Sequence, residues 1–356
     1  MKLFNYFIIA AFLISSCKDD DSEPTFSNEY GSGLYIATSN GVSFYNDNIV
    51  KNQIFKNVNG ISLSNVNRIK FKNGKAYIAT KSNFYSANLE NFEIKGEANG
   101  FMNLVDFDFV SSKRIFAVDK DDSKVKVLDR DIMEIISEIE TGDSTNPVFI
   151  ITDWYRSIIL NGGVDADSLK DSTIVAIDHK DEYISFANFM GSLTIGDNPN
   201  SAVNDNELLI LCKGVYNEDN PSGNTNSSLV TVDPFDFGEG VLSTKQLNVF
   251  GAKNLVHNLI DDVLLFTSPN GVYSMSTDGS GAYIRLPIFS DVLYYQDEEF
   301  SVYSAVDSTY EYFNRNILYV NDAENNKNII YKYNLDLSLY IDTIIVDGDV
   351  RSIGFY

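Results

Sequence analysis

From Leu34 onward the hydrophobic residues come in short runs rather than in helical stripes. Stretches rich in Val, Ile, Leu, Tyr and Phe are bounded again and again by Asn, Asp, Gly and Ser. β-Branched and aromatic side chains suit a pleated, half-buried surface, and the punctuating residues suit tight turns. No segment sustains an apolar period of 3.6, so the pattern predicts an all-β chain.

The runs repeat. Tyr35-Ile36-Ala37-Thr38 recurs unchanged as Tyr77-Ile78-Ala79-Thr80, and the stretch Phe71–Ala79 lines up with Phe109–Ala117. Thr38-Ser39-Asn40-Gly41-Val42 returns with one inserted proline as Thr267-Ser268-Pro269-Asn270-Gly271-Val272. Repeats of about forty to fifty residues, each worth four strands, are the signature of a β-propeller. The second strand of each unit is expected to begin near Leu34, Ala76, Ile115, Ser157, Leu208, Val263 and Ile317. Leu34 has no first strand before it, whereas the chain ends Ser352-Ile353-Gly354-Phe355-Tyr356 and repeats the Ile-x-Phe of Ile69-x-Phe71. A C-terminal strand would then complete the N-terminal blade and remove the exposed sheet edges. A sandwich or a solenoid gives no reason for that echo. Seven blades are expected, with six or eight compatible because the later spacings stretch.

The first residues have a different character. Lys2 precedes an apolar run from Leu3 to Leu13 broken only by Asn5, followed by Ile14-Ser15-Ser16-Cys17 and Lys18-Asp19-Asp20-Asp21. The run is short for a membrane span and fits a secretory signal. The residues before Cys17 resemble the lipobox of bacterial lipoproteins, and the acidic run resembles the signal that exports Bacteroidetes lipoproteins to the outer face of the outer membrane. That resemblance implies signal removal at residues 1–16 and a lipid on Cys17, which anchors through its acyl chains. Residues 17–32 would be the lipidated cysteine with a polar, acidic tether. The propeller would occupy 33–356.

The formal net charge of −23 disfavours nucleic acid, since each phosphate contact needs a cation opposite. With Cys17 lipidated, Cys212 is the remaining thiol, so the fold is expected to be held by packing. Cys212 lies in an apolar run and reads as a small buried hydrophobe.

A second resemblance lies mid-chain. Thr194–Ser201 (TIGDNPNS), followed by Glu207–Gly214 (ELLILCKG), is similar to a motif of Bacteroidetes surface lipoproteins with YncE-like seven-bladed propellers. A weaker copy stands at Thr141–Pro147. One member of that group captures vitamin B12 at the cell surface for a TonB-dependent transporter, but no residue motif carries cobalamin specificity to this chain. Gly-Asp-Asn-Pro also suits a tight turn between blades.

Sequence patterns for catalysis are sparse. HExxH, cysteine–histidine zinc spacing, the GxSxG elbow and phosphate-cradling glycine loops are all missing from the sequence, and no cofactor is expected. His257 reads as a buried, satisfied histidine in an inner strand, and His179 as a solvated turn residue. Trp154 falls in a turn between the first two strands of blade four, as a packing plug or a partner contact. Asp119-Lys120-Asp121-Asp122 and Asp165-Ala166-Asp167 offer hard oxygen ligands but no complete calcium loop, so both read as solvated turns and no metal is assigned.

The second-to-third connections swell at Asn161–Ser172 and at Lys213–Ser227. Loops that outgrow their neighbours on a rigid scaffold often carry function. Tyr216, Asn217, Asp219 and Asn220, with Asp165 and Asp167, are therefore the candidate ligand or partner contacts. The expected function is a non-catalytic binding module that captures a small polar ligand or serves a TonB-dependent transporter. The alternatives are a structural subunit of a surface complex and a propeller-based lyase or hydrolase.

Overall fold

The computed structural model describes residues 29–142, 145–163, 170–179, 188–217, 221–304 and 309–356. Its strands form seven four-stranded antiparallel sheets. The inner strands of blades two to seven are Val66–Lys72, Leu104–Phe109, Pro147–Asp153, Pro199–Asp205, Lys253–Asn258 and Leu293–Ser304. Blade one is different, because its inner strand is Val350–Phe355, paired to Leu34–Thr38. Each inner strand touches the next, and the last returns to the first, so the ring closes as a seven-bladed β-propeller.

The register confirms the closure expected from the terminal echo. Ile353 stands opposite Ile36 and Phe355 opposite Leu34, and the pairing continues as Gly33 and Tyr356 exchange backbone hydrogen bonds of 2.9 and 3.1 Å. Ile69 and Ile353 are both buried, each in the apolar layer on one side of blade one. The packed structure reaches back to Tyr30, a buried ring edge-on to Phe44 at 5.6 Å.

The core lies between blades rather than within them. A middle strand such as Arg156–Asn161 is buried at every position, because both faces of its sheet meet a neighbour. The outer strand Glu134–Glu140 alternates exposed and half-buried. That is why the YIAT motif repeats: its residues sit in second strands, where almost every position must pack.

Two local features depart from the repeat. The third and outermost N-terminal strand of blade one, Ile49–Lys51, is only 3 residues long. A short helix, Ile54–Asn59, follows it and buries Ile54 and Phe55 in the same layer. In blade seven the second strand begins at Thr309 rather than near Ile317, and pairs with the inner strand out to Ser304–Thr309. The third strand joins only from Ile317, leaving a two-stranded extension on the face of the first-to-second turns. β-Forming residues such as Val302, Tyr303, Tyr310 and Tyr312 carry both strands past the usual turn.

Candidate functional site

Each inner strand starts on the face that also carries the second-to-third turns. Backbone hydrogen bonds tie the two together: Ser39 N to Asp349 O at 2.9 Å, Lys120 N to Asn103 O at 2.9 Å and Lys213 N to Asn198 O at 2.9 Å. The enlarged connections of blades four and five therefore emerge side by side around one mouth of the ring. Asp165, Asp167, Asp219 and Asn220 lie outside the described residues.

The described part of the Lys213–Ser227 loop is held from within. Val215 and Thr225 pair as a bridge, with N···O distances of 3.1 and 3.0 Å, and the Asn217 amide donates to Asn224 Oδ1 at 2.7 Å. Gly214 is a pinch point at φ +75°, where an added Cβ would stand 2.3 Å from the Thr225 carbonyl oxygen. Tyr216 is 55 % exposed, and its ring lies 5.3 Å from that of Phe250. Phe250 comes from the connection into blade six, and nothing local in the sequence pairs it with Tyr216.

The Gly-Asp-Asn-Pro turn joins the two enlarged loops. It connects the outer strand of blade four to the inner strand of blade five, as its turn chemistry predicts. One Asp197 oxygen accepts from Ser172 Oγ at 2.7 Å, and the other accepts from Lys170 Nζ at 2.8 Å and from Thr225 Oγ1 at 2.9 Å. Ser172 and Lys170 belong to the blade-four loop and Thr225 to the blade-five loop. Burial pushes the Asp197 carboxyl upward, but these three donors and the lysine charge outweigh it and hold the group below its ordinary value. Asn198, at φ 52°, donates through its side chain to Gly214 O at 2.9 Å. Gly196 packs so closely that an added Cβ would lie 2.6 Å from Ser228 Oγ and 3.0 Å from Cys212 Sγ. Burial pushes the Cys212 thiol up to about 12, consistent with a packed, unreactive group.

Beside this clamp opens a cavity of about 490 Å³, lined by Gly196, Asp197, Asn224, Thr225, Asn226 and Gln246, among others. Its side-chain groups are chiefly amides and hydroxyls. A second cavity of about 400 Å³ occupies the channel mouth, where Arg68, Arg351 and Lys327 meet Asp291 and Asp349. Arg68 Nε lies 3.1 Å from Asp106, and Arg351 donates to Asn65 Oδ1 at 2.9 Å. A chain of net charge −23 thus gathers cations at its axis. The available signal was faint: basic residues near the starts of two inner strands.

Several sequence expectations need correction. His179 is buried, not solvated, and its ring meets Phe116 edge-on at 5.7 Å. Asp119 is fully buried rather than part of a solvated turn. It lies 3.0 Å from Lys126 Nζ and accepts from the amides of Met102 and Asn103 at 2.9 and 2.7 Å. Trp154 is 81 % exposed at the tip of its turn, so it plugs nothing. His257 is not satisfied on both sides of its ring: Nε2 lies 3.0 Å from Asp262 Oδ1, while Nδ1 is buried without a hydrogen-bond partner.

No protein-family model and no curated protein matches the chain. Solved structures do. A Bacteroides fragilis protein whose proposed assignment is 6-phosphogluconolactonase is 11 % identical, with a TM-score of 0.60 over 93 % of this chain and 99 % of that one. A quinonprotein alcohol dehydrogenase-like protein of Bacteroides thetaiotaomicron is 12 % identical, with a TM-score of 0.62 over 93 % of this chain and 78 % of that one. The hydrazine synthase of Kuenenia stuttgartiensis gives 0.59 at 12 % identity, over 82 % of this chain and 89 % of that one. At such identities the likeness carries the propeller fold alone.

Proposed function

We propose that this chain is a lipid-anchored binding module of a bacterial cell surface, non-catalytic, and that the loops of blades four and five form its recognition rim. The rim would capture a small polar ligand or seat a TonB-dependent outer-membrane transporter. The observation that carries this reading is the Asp197 clamp. Two loops that outgrow their neighbours are bound to one carboxylate, so they are positioned together rather than being slack insertions. The adjoining cavity favours a neutral ligand rich in hydroxyl or amide groups, because the Asp197 charge is already met by Lys170.

Tyr216 is the best anchor, since an exposed ring offers contact area at small entropic cost. Tyr216→Ala should weaken ligand or transporter binding at least about tenfold, roughly 1.4 kcal/mol or more, as expected of an aromatic hot spot. The melting temperature should stay within a degree or two, because the ring is 55 % exposed and lies outside the interblade core. Unchanged binding, measured by pull-down of the transporter or uptake by cells, would remove Tyr216 from the rim.

The anchor rests on Ile14–Cys17 and the acidic run behind it, which lie outside the described residues. Among the described residues no helix is long and apolar enough to cross a membrane. Cys17→Ala should move the protein from the membrane fraction to the soluble fraction. Replacing Asp19, Asp20 and Asp21 by Ala should leave it anchored but shield it from protease added to intact cells. A wild-type protein already shielded from that protease would overturn surface display.

A further inference from the structure

We propose that Asp205, His257 and Asp262 form a site for a divalent transition metal of the zinc class, on the face opposite the enlarged loops. Asp205 is the last residue of the blade-five inner strand, His257 the penultimate residue of the blade-six inner strand, and Asp262 ends the turn that follows. Two adjacent blades thus bring their donors to the same end of the ring. One donor atom from each residue lies within 4.8 Å of the other two, and His257 Nε2 is 3.0 Å from Asp262 Oδ1. Zinc bonds of about 2.0–2.2 Å in a tetrahedral arrangement place neighbouring donors roughly 3.3–3.5 Å apart. The observed cluster brackets that spacing, so small side-chain rotations would bring all three donors onto one ion.

The charge balance points the same way. Among the described residues neither Asp205 nor Asp262 is paired with a lysine or arginine, although the two carboxylates share this small space. Asp205 is half-buried and Asp262 exposed, so an ion brought to them would keep contact with solvent. The His257 side chain is only 7 % exposed, and its Nε2 lies 3.0 Å from Asp262 Oδ1 while Nδ1 finds no hydrogen-bond partner. Imidazole with carboxylate oxygens suits zinc, cobalt, nickel or manganese better than calcium or magnesium, which take all-oxygen sets. The Asp262 side chain is 74 % exposed, so a fourth position would open to water. Bound there, the ion would cross-link blades five and six.

The test uses the full chain without a polyhistidine tag, stripped with a chelator and titrated with zinc by calorimetry and with cobalt by visible absorption. One equivalent should bind, and zinc should raise the melting temperature. Asp205→Asn and His257→Asn should each weaken binding by at least about tenfold, the range that even outer-shell partners command. If His257→Asn does not fold, the exposed Asp262→Asn decides the matter, since it should keep the metal-free melting temperature and lose affinity likewise. Absence of saturable one-to-one binding, or affinity unchanged in Asp205→Asn and Asp262→Asn, would overturn the site. Neither outcome bears on the rim at the other face.

Discussion

A chain lacking residues 350–356 should melt at least roughly 10 °C below the full-length protein or show no cooperative transition. The deletion removes the inner strand of blade one. Val350 and Ile353 are both buried, and each buried aliphatic side chain of this size is worth about 1.5–3 kcal/mol. The backbone pairing with Leu34–Thr38 goes as well, so one edge of that strand loses every ladder partner. The loss is then several kcal/mol, against a total stability that for most domains is only about 5–15 kcal/mol. Among the described residues no disulfide offsets it, since Cys212 is free and buried. Thermal unfolding followed by circular dichroism reads the difference. A truncated protein melting within a degree or two of the intact one would mean that the ring does not depend on this strand.

The closure could be read in the sequence because it is a repeated packing problem. Ile69 and Ile353 occupy equivalent inner-strand positions, so the same residue pattern meets the same geometry. The second strands were legible for a related reason. They are flanked by sheet on both sides, and such positions accept few residue types, hence the unchanged YIAT. The turn at Gly196–Pro199 was legible from local conformational preference alone.

What escaped the sequence depends on partners far away along the chain. Asp119 and Asp121 stand in the same acidic run, yet Asp119 is fully buried against Lys126 while Asp121 stays at the surface end of the turn, where it accepts from Asn103 Nδ2 at 3.0 Å. His179 follows a strand and precedes a charged run, and the ring of Phe116 that packs against it comes from another blade. Arg68 and Arg351 are 283 positions apart in the numbering but share the channel mouth because the ring closes between their strands. The Tyr216–Phe250 pair likewise needs the fold. Candidate loops can be found from length, whereas the clamp and the axial cations require the blades to be in place.

The clamp gives the second large expected effect. Asp197→Ala should destabilise the blade-four and blade-five loops by about 1–3 kcal/mol, because removing the acceptor leaves Ser172 Oγ, Thr225 Oγ1 and Lys170 Nζ without their shared partner. The ring itself should persist, since the interblade core does not pass through this side chain. Amide exchange should therefore speed up about ten- to a hundredfold at Val215 and Thr225 while second-strand amides such as those of Leu209 and Ile210 stay protected. The pH dependence follows from the sign of the Asp197 shift. Its folded value is lowered, so its contribution is complete above the ordinary aspartate value of 3.8 and is lost as the pH falls below that through the folded value. Protection of the wild-type loop amides, taken relative to the intrinsic exchange rate at each pH, should fall in that acid range, and Asp197→Ala should show the low protection already at neutral pH with little further change. If binding at the rim requires the two loops to be held together, this variant should lose affinity along with Tyr216→Ala, although it leaves the Tyr216 ring intact. Loop exchange that is slow and unaltered in Asp197→Ala would show that the loops hold themselves, and the carboxylate would then be only one contact among many.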